Sequence, residues 1–136
     1  MTRVGLDSNV IVAAFASRGL CADLLRLAVT EHELVIPAVV VEEVWRVLTT
    51  KFRLSSDGLA SVEAVFERCE IVPQGSDPSP VRVRDPDDER VIADAMSGGC
   101  DLLVTGDLDL LSIAERSPIP ILSPREFMTL ARGGTL

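Results

Sequence analysis

Asp7 closes the short apolar run Val4-Gly5-Leu6, and Ser8 and Asn9 then lead into a second apolar run from Val10 to Phe15. The pattern reads as strand, acid, helix. A side-chain oxygen of Ser8 or Asn9 is expected to cap that helix by accepting from its orphan N–H groups. The same pattern returns at Leu102-Leu103-Val104-Thr105-Gly106-Asp107, followed by Leu108 to Ala114. In open α/β sheets, ligands bind outside the carboxyl ends of the strands. Two strands that each end on an acid therefore point to a shared carboxylate site.

A third acid is Asp88, in Asp85-Pro86-Asp87-Asp88-Glu89-Arg90-Val91-Ile92. Asp88, Val91, Ile92, Ala95 and Met96 form one helical stripe, which aims Asp88 along the core-facing side one turn earlier. Asp87 and Asp94 are expected to point away from it. Glu42 and Glu43 open a helix after the second strand. Glu43 borders the Val40 and Val47 side, Glu42 borders Trp45, and wheel geometry leaves either able to reach the rim. Each acid has an ordinary explanation too. Asp85 and Asp88 have the spacing of a cap and its reciprocal partner, Asp107 reads as an N-cap, and the helix dipole favours acids in first turns. Together at one rim, however, four carboxylates repel one another. A divalent cation removes that cost, and Lys51, the sole lysine, is not near any of them in sequence.

The totals bound the rest. A chain of 136 residues, 47% hydrophobic, fits one domain with a sizeable core. No apolar run approaches the ~20 residues needed to span a bilayer, and the start reads as a strand, not a signal segment. A cytoplasmic protein is expected. Cys21, Cys69 and Cys100 are widely spaced, which favours reduced thiols over a zinc site or a disulfide frame. His32 is the only histidine and reads as a surface residue near a helix end. The formal charge of −8 speaks against a general nucleic-acid binder. It leaves a nuclease open, because carboxylates that hold a cation are neutralised in the working site.

Helices are expected from about Asn9 to a break at Arg18-Gly19, over about 20–30, 37–51 and 59–68, from Asp85-Pro86 to Gly98-Gly99, over about 107–116 and from Ser123 onward. Short strands are expected at Arg3–Leu6, Leu34–Ile36, Glu70–Val72, up to Thr105, and at Ile119–Leu122. Pro73 to Pro80 is a Pro-rich loop, too short for a linker. Alternation throughout implies an α/β three-layer sandwich, with a central parallel sheet of four to five strands and helices on both faces. Residues 1–130 are expected as one domain and 131–136 as a tail.

The sequence resembles the PIN-domain ribonucleases, in particular the small bacterial toxin-like (VapC-like) members. The resemblance rests on Leu6-Asp7-Ser8-Asn9-Val10, Val41-Glu42-Glu43-Val44, Asp85-Pro86-Asp87-Asp88, Val104-Thr105-Gly106-Asp107 with Asp109-Leu110-Leu111, and the ending Ile119 to Phe127. It covers nearly the whole chain, and its strength lies in the order and spacing of the motifs together. It implies a four-acid site at Asp7, Glu43, Asp88 and Asp107, all four as catalytic and metal-holding groups. Glu43 is preferred over Glu42 because the family acid is followed directly by an apolar residue. Ser8, Asn9, Thr105 and Asp109 would be supporting groups. The implied chemistry is Mg²⁺- or Mn²⁺-dependent hydrolysis of RNA phosphodiester bonds. The resemblance also implies an antitoxin partner and a homodimer.

RNA must be held as well. Arg46, Lys51 and Arg53 form one basic group, and Arg82, Arg84 and Arg90 another near Asp88; either could contact phosphates. Rival readings fare worse. A phosphoacceptor receiver domain needs a lysine after a late strand, and Ile121-Leu122-Ser123-Pro124 has none. A phosphatase with an aspartate nucleophile wants a second acid at position 9, which is Asn9. A non-catalytic PIN-fold protein that binds a protein partner or RNA is the alternative; the net charge supports it and the full acid set opposes it.

Overall fold

In the computed structural model, which describes residues 2–136, five short strands alternate with helices in the order expected. β1 is Arg3–Leu6, followed by α1 at Ser8–Ala16 and α2 at Leu20–Glu31. β2 is Glu33–Pro37, followed by α3 at Ala38–Thr50 and α4 at Ser56–Glu67. β3 is Glu70–Val72. After the Pro-rich loop come α5 at Pro86–Ser97 and β4 at Leu102–Val104. A single-turn helix, α6, spans Leu108–Leu111, a 3₁₀ turn spans Ala114–Arg116, β5 is Ile121–Leu122, and α7 is Pro124–Arg132. One helix was expected over 107–116. The structure divides it at Ser112 and Ile113, after barely one turn.

All neighbouring strands are parallel, in the order β3-β2-β1-β4-β5. Helices cover the sheet on both faces, giving a three-layer α/β sandwich. A parallel sheet enclosed in this way needs strands that are apolar on both sides. Val4, Leu6, Val35, Ile36, Leu103 and Val104 are accordingly fully buried. Phe127 of α7 is also fully buried, and the ring of His32, at the end of α2, meets it edge-on at 6.0 Å. The three cysteines are free, and Cys100 is buried. No helix among the described residues is long and apolar enough to cross a membrane.

The topology has one switch point. From β1 the chain moves outward to β2 and β3, then returns to β4 on the other side of β1 and on to β5. Adjacent parallel strands whose connections leave in opposite directions open a crevice at their carboxyl ends. Here those strands are β1 and β4, with Leu6 paired to Val104. The next residues along are Asp7 and Thr105.

Candidate active site

Asp7 caps α1 itself: its Oδ1 accepts from the Ser8 amide at 2.9 Å. This corrects the expectation of Ser8 or Asn9 as the cap, because strand and helix are separated by one residue only. Its Oδ2 accepts from the Thr105 hydroxyl at 2.7 Å and from the Asn9 amide group at 3.1 Å. Asn9 then reaches across to β4: its Oδ1 accepts from the Gly106 amide at 2.9 Å. Thr105 Oγ1 in turn accepts from the Asp107 amide at 3.0 Å. Asp107 caps α6, accepting from the Asp109 amide at 2.9 Å. Thus Asn9 and Thr105 tie the two acid-bearing strand ends together, while Ser8 and Asp109 each contribute a backbone amide.

Asp88 arrives from α5. Asp85 alone caps that helix, accepting from the Asp87 amide at 2.9 Å, so no reciprocal bond from Asp88 forms. Asp88 turns instead toward the rim, where it is 9% exposed. Its Oδ2 is buried without a hydrogen-bond partner. Oxygens from Asp7, Asp88 and Asp107 all lie within 4.8 Å of one another. None of the three forms an ion pair with an arginine or lysine among the described residues.

The electrostatics follow. Burial raises the Asp7 carboxyl above its ordinary range; the Thr105 and Ser8 hydrogen bonds oppose this, and the charges of Asp107 and Glu43 add to it. Asp88 is pushed up to about 8 by burial first, then by Asp107, with Asp7 and Asp85 adding repulsion. Three crowded carboxylates and one orphaned buried oxygen suit an all-oxygen, hard divalent cation. The donor set therefore fits Mg²⁺ or Mn²⁺.

These acids open onto a cavity of about 890 Å³. Glu42 and Glu43 both line it from α3, and both are exposed. Glu43 stands outside the tight three-acid group, yet its charge is felt at Asp7. Of the basic candidates, Arg46 and Arg90 line the cavity, and Arg82 lines a neighbouring hollow. Lys51, Arg53 and Arg84 are exposed and line neither.

Asp94 departs from expectation. It was to point away from the core-facing stripe, but it is fully buried. The loop after β3 covers that side of α5: the Gly75 amide donates to Asp94 Oδ1 at 3.1 Å. The available signal was the i, i+4 spacing of Arg90 and Asp94, which pair at 2.8 Å.

The domain is a parallel α/β fold with a carboxylate crevice at its switch point, and the donor set there could hold a cation. The chain belongs to the PIN domain family, whose model matches residues 3–109. No curated protein matches the sequence. Among solved structures, VapBC2 from Rickettsia felis, bound to a DNA fragment from their promoter, is similar. It has a TM-score of 0.62 and 17% identity, over 89% of this chain and 97% of that one. DNA-bound VapBC from Salmonella typhimurium gives a TM-score of 0.62 and 20% identity, over 91% and 99%. PAE2754 from Pyrobaculum aerophilum gives 0.62 and 19%, over 99% and 91%. At these identities the likeness is one of fold.

Proposed function

We propose that this PIN domain is a metal-dependent endoribonuclease and the toxin of a toxin–antitoxin pair. The observation that carries the reading is the set of three carboxylates within 4.8 Å of one another, with one buried oxygen unpartnered and no ion pair to any of the three among the described residues. Unpaired buried charge is costly, so a site of this kind is built for an ion.

Asp7, Asp88 and Asp107 are the proposed ligands, and Mg²⁺ or Mn²⁺ the proposed ion. When bound, the ion supplies charge neutralisation at the scissile phosphate and lowers the pKa of an attacking water. Thr105, Asn9 and Ser8 hold Asp7 with its oxygens fixed in direction, and the Asp109 amide does the same for Asp107. Glu43, across the cavity from no fixed partner, completes the acid set by orienting water or a second ion. Arg46 and Arg90, which line the cavity, are the first RNA-contact candidates; Arg82, Arg84, Lys51 and Arg53 are the others.

A cognate antitoxin protein is the proposed partner, on the resemblance to toxin-like members and the fold shared with VapBC structures. A homodimer is proposed on the same resemblance, and a cytoplasmic location on the sequence reading above. The test is cleavage of single-stranded RNA by the wild type and by Asp7→Asn, each with Mg²⁺ or Mn²⁺ and with chelator. Metal-dependent cleavage by the wild type alone is the expected result. Equal activity of the two proteins would remove Asp7 and the acid set from the chemistry, leaving a binding module.

A further inference from the structure

Asp94 carries a charge that the proposed chemistry does not use. It is fully buried, and its Oδ1 accepts from Arg90 Nη2 at 2.8 Å, Arg90 Nε at 3.0 Å and the Gly75 amide at 3.1 Å. Its Oδ2 has no partner. Buried ion pairs can often be replaced by apolar residues without loss of stability, so stability alone does not call for this one. What the pair fixes is geometry. Asp94 grips one edge of the guanidinium, and Nη1 has no protein acceptor among the described residues.

The Arg90 side chain is 21% exposed and stands at a junction. It lines the acidic cavity and also a second hollow of about 480 Å³ under the Ser76–Arg82 segment, with Pro86 common to both. The loop over that hollow is drawn tight against the pair. A Cβ added at Gly75 would lie 3.2 Å from Asp94 Oδ1 and 3.6 Å from Arg90 Nη2. Of the acids in the hollow, Glu89 is turned to the Val83 amide at 2.8 Å, which leaves Asp77.

The acidic cavity presents seven carboxylates and two arginines, a poor entrance for a polyanion. Arg46 is exposed and forms no ion pair among the described residues. Arg90 is the cavity's one cation held by a buried acid. A guanidinium fixed in advance gives up less freedom when it binds phosphate.

We propose that Arg90 binds a backbone phosphate of the RNA and that Asp94 is its positioning residue. The strand leaves the acid rim past Pro86 and enters the second hollow, where its neighbouring phosphate sits on the Nη1 edge of Arg90. Arg82, which also lines the hollow, is the next cation along that track. This rests on the nuclease reading, and the experiment separates the two.

Initial rates are measured on a pool of randomised single-stranded RNA with saturating Mg²⁺ over a range of salt, alongside melting temperatures. Arg90→Gln should raise KM about tenfold with kcat little changed, and should reduce the salt slope of log KM by about 0.7, one phosphate contact's share. Arg90→Lys should recover part of the loss. Asp94→Asn should raise KM several-fold while keeping the slope, since the charge remains but is no longer held. The double variant Arg90→Gln/Asp94→Asn leaves no unpaired buried carboxylate; it should regain melting temperature but not KM, and it carries the test should Arg90→Gln fail to fold. No cleavage by the wild type overturns the nuclease reading and this inference together. Cleavage with KM and slope unchanged in Arg90→Gln overturns only the inference. Recovery of both KM and melting temperature in the double variant would make the pair structural and overturn it too.

Discussion

The two ends of the sheet treat their acids in opposite ways. At the amino end, Arg3 of β1 gathers them in. Its Nη1 donates to Glu33 at 2.9 Å and its Nη2 to Glu70 at 2.8 Å, while its other donors reach the Gly98 and Gly99 carbonyls. Its backbone amide donates to Asp101 at 2.8 Å. The Glu70 and Glu33 bonds raise the Arg3 pKa further. At the carboxyl end of the same strand, Asp7, Asp88 and Asp107 crowd together and form no ion pair among the described residues. One end is a closed electrostatic account. At the other, hydrogen bonds orient charge without cancelling it, an arrangement that supports the proposed metal site.

The sharpest way to break this contrast is at Asp7. Asp7→Asn should lower RNA cleavage by roughly 10²–10³-fold, the scale of losing one electrostatic group at a reacting centre. Wild-type activity in that variant would make the two ends equivalent. Thr105→Val removes the 2.7 Å bond to Asp7 and the acceptor for the Asp107 amide. It should cost about 10–100-fold in metal affinity or activity, the range for groups that orient ligands, with Thr105→Ser retaining most of it.

Stability gives a third test. In chelator, folded Asp88 holds its proton up to about pH 8, whereas the unfolded chain releases it near ~4. Across that window the native state binds more protons, so stability falls as pH rises. Melting temperature should decline from pH 5 to pH 8 in chelator, and saturating Mn²⁺ should flatten the decline. Asp88→Asn should melt higher than the wild type in chelator at pH 8, by about 3–5 °C if ~1 kcal/mol of repulsion is relieved. A flat wild-type profile would mean that the cluster is not strained. The smallest effect is expected at the closed end: Arg3→Gln should lower the melting temperature by a few degrees and leave cleavage per folded molecule unchanged.

The open end was legible because its pattern is local. Strand, acid, small polar residues and helix follow one another within a few positions, twice, and the Asp88 stripe needs only one helix. Strand order is not local, and no short stretch of sequence states that β1 lies between β2 and β4. Asp94 was misplaced for a related reason: a helical wheel knows which residues share a side, but not that a distant loop through Gly75 will cover the polar one. Glu42 and Glu43 stayed undivided on the wheel because both lie at the margin of the apolar stripe, and both line the cavity.

Asn9 touches Asp7, Thr105 and the turn at Gly106 at once. Neither strand tip can therefore shift toward a guest without dragging the other. On the proposed metal-binding reading, this tie between the tips should favour small cations that keep their water shells over Ca²⁺, which asks its hosts to bend around it.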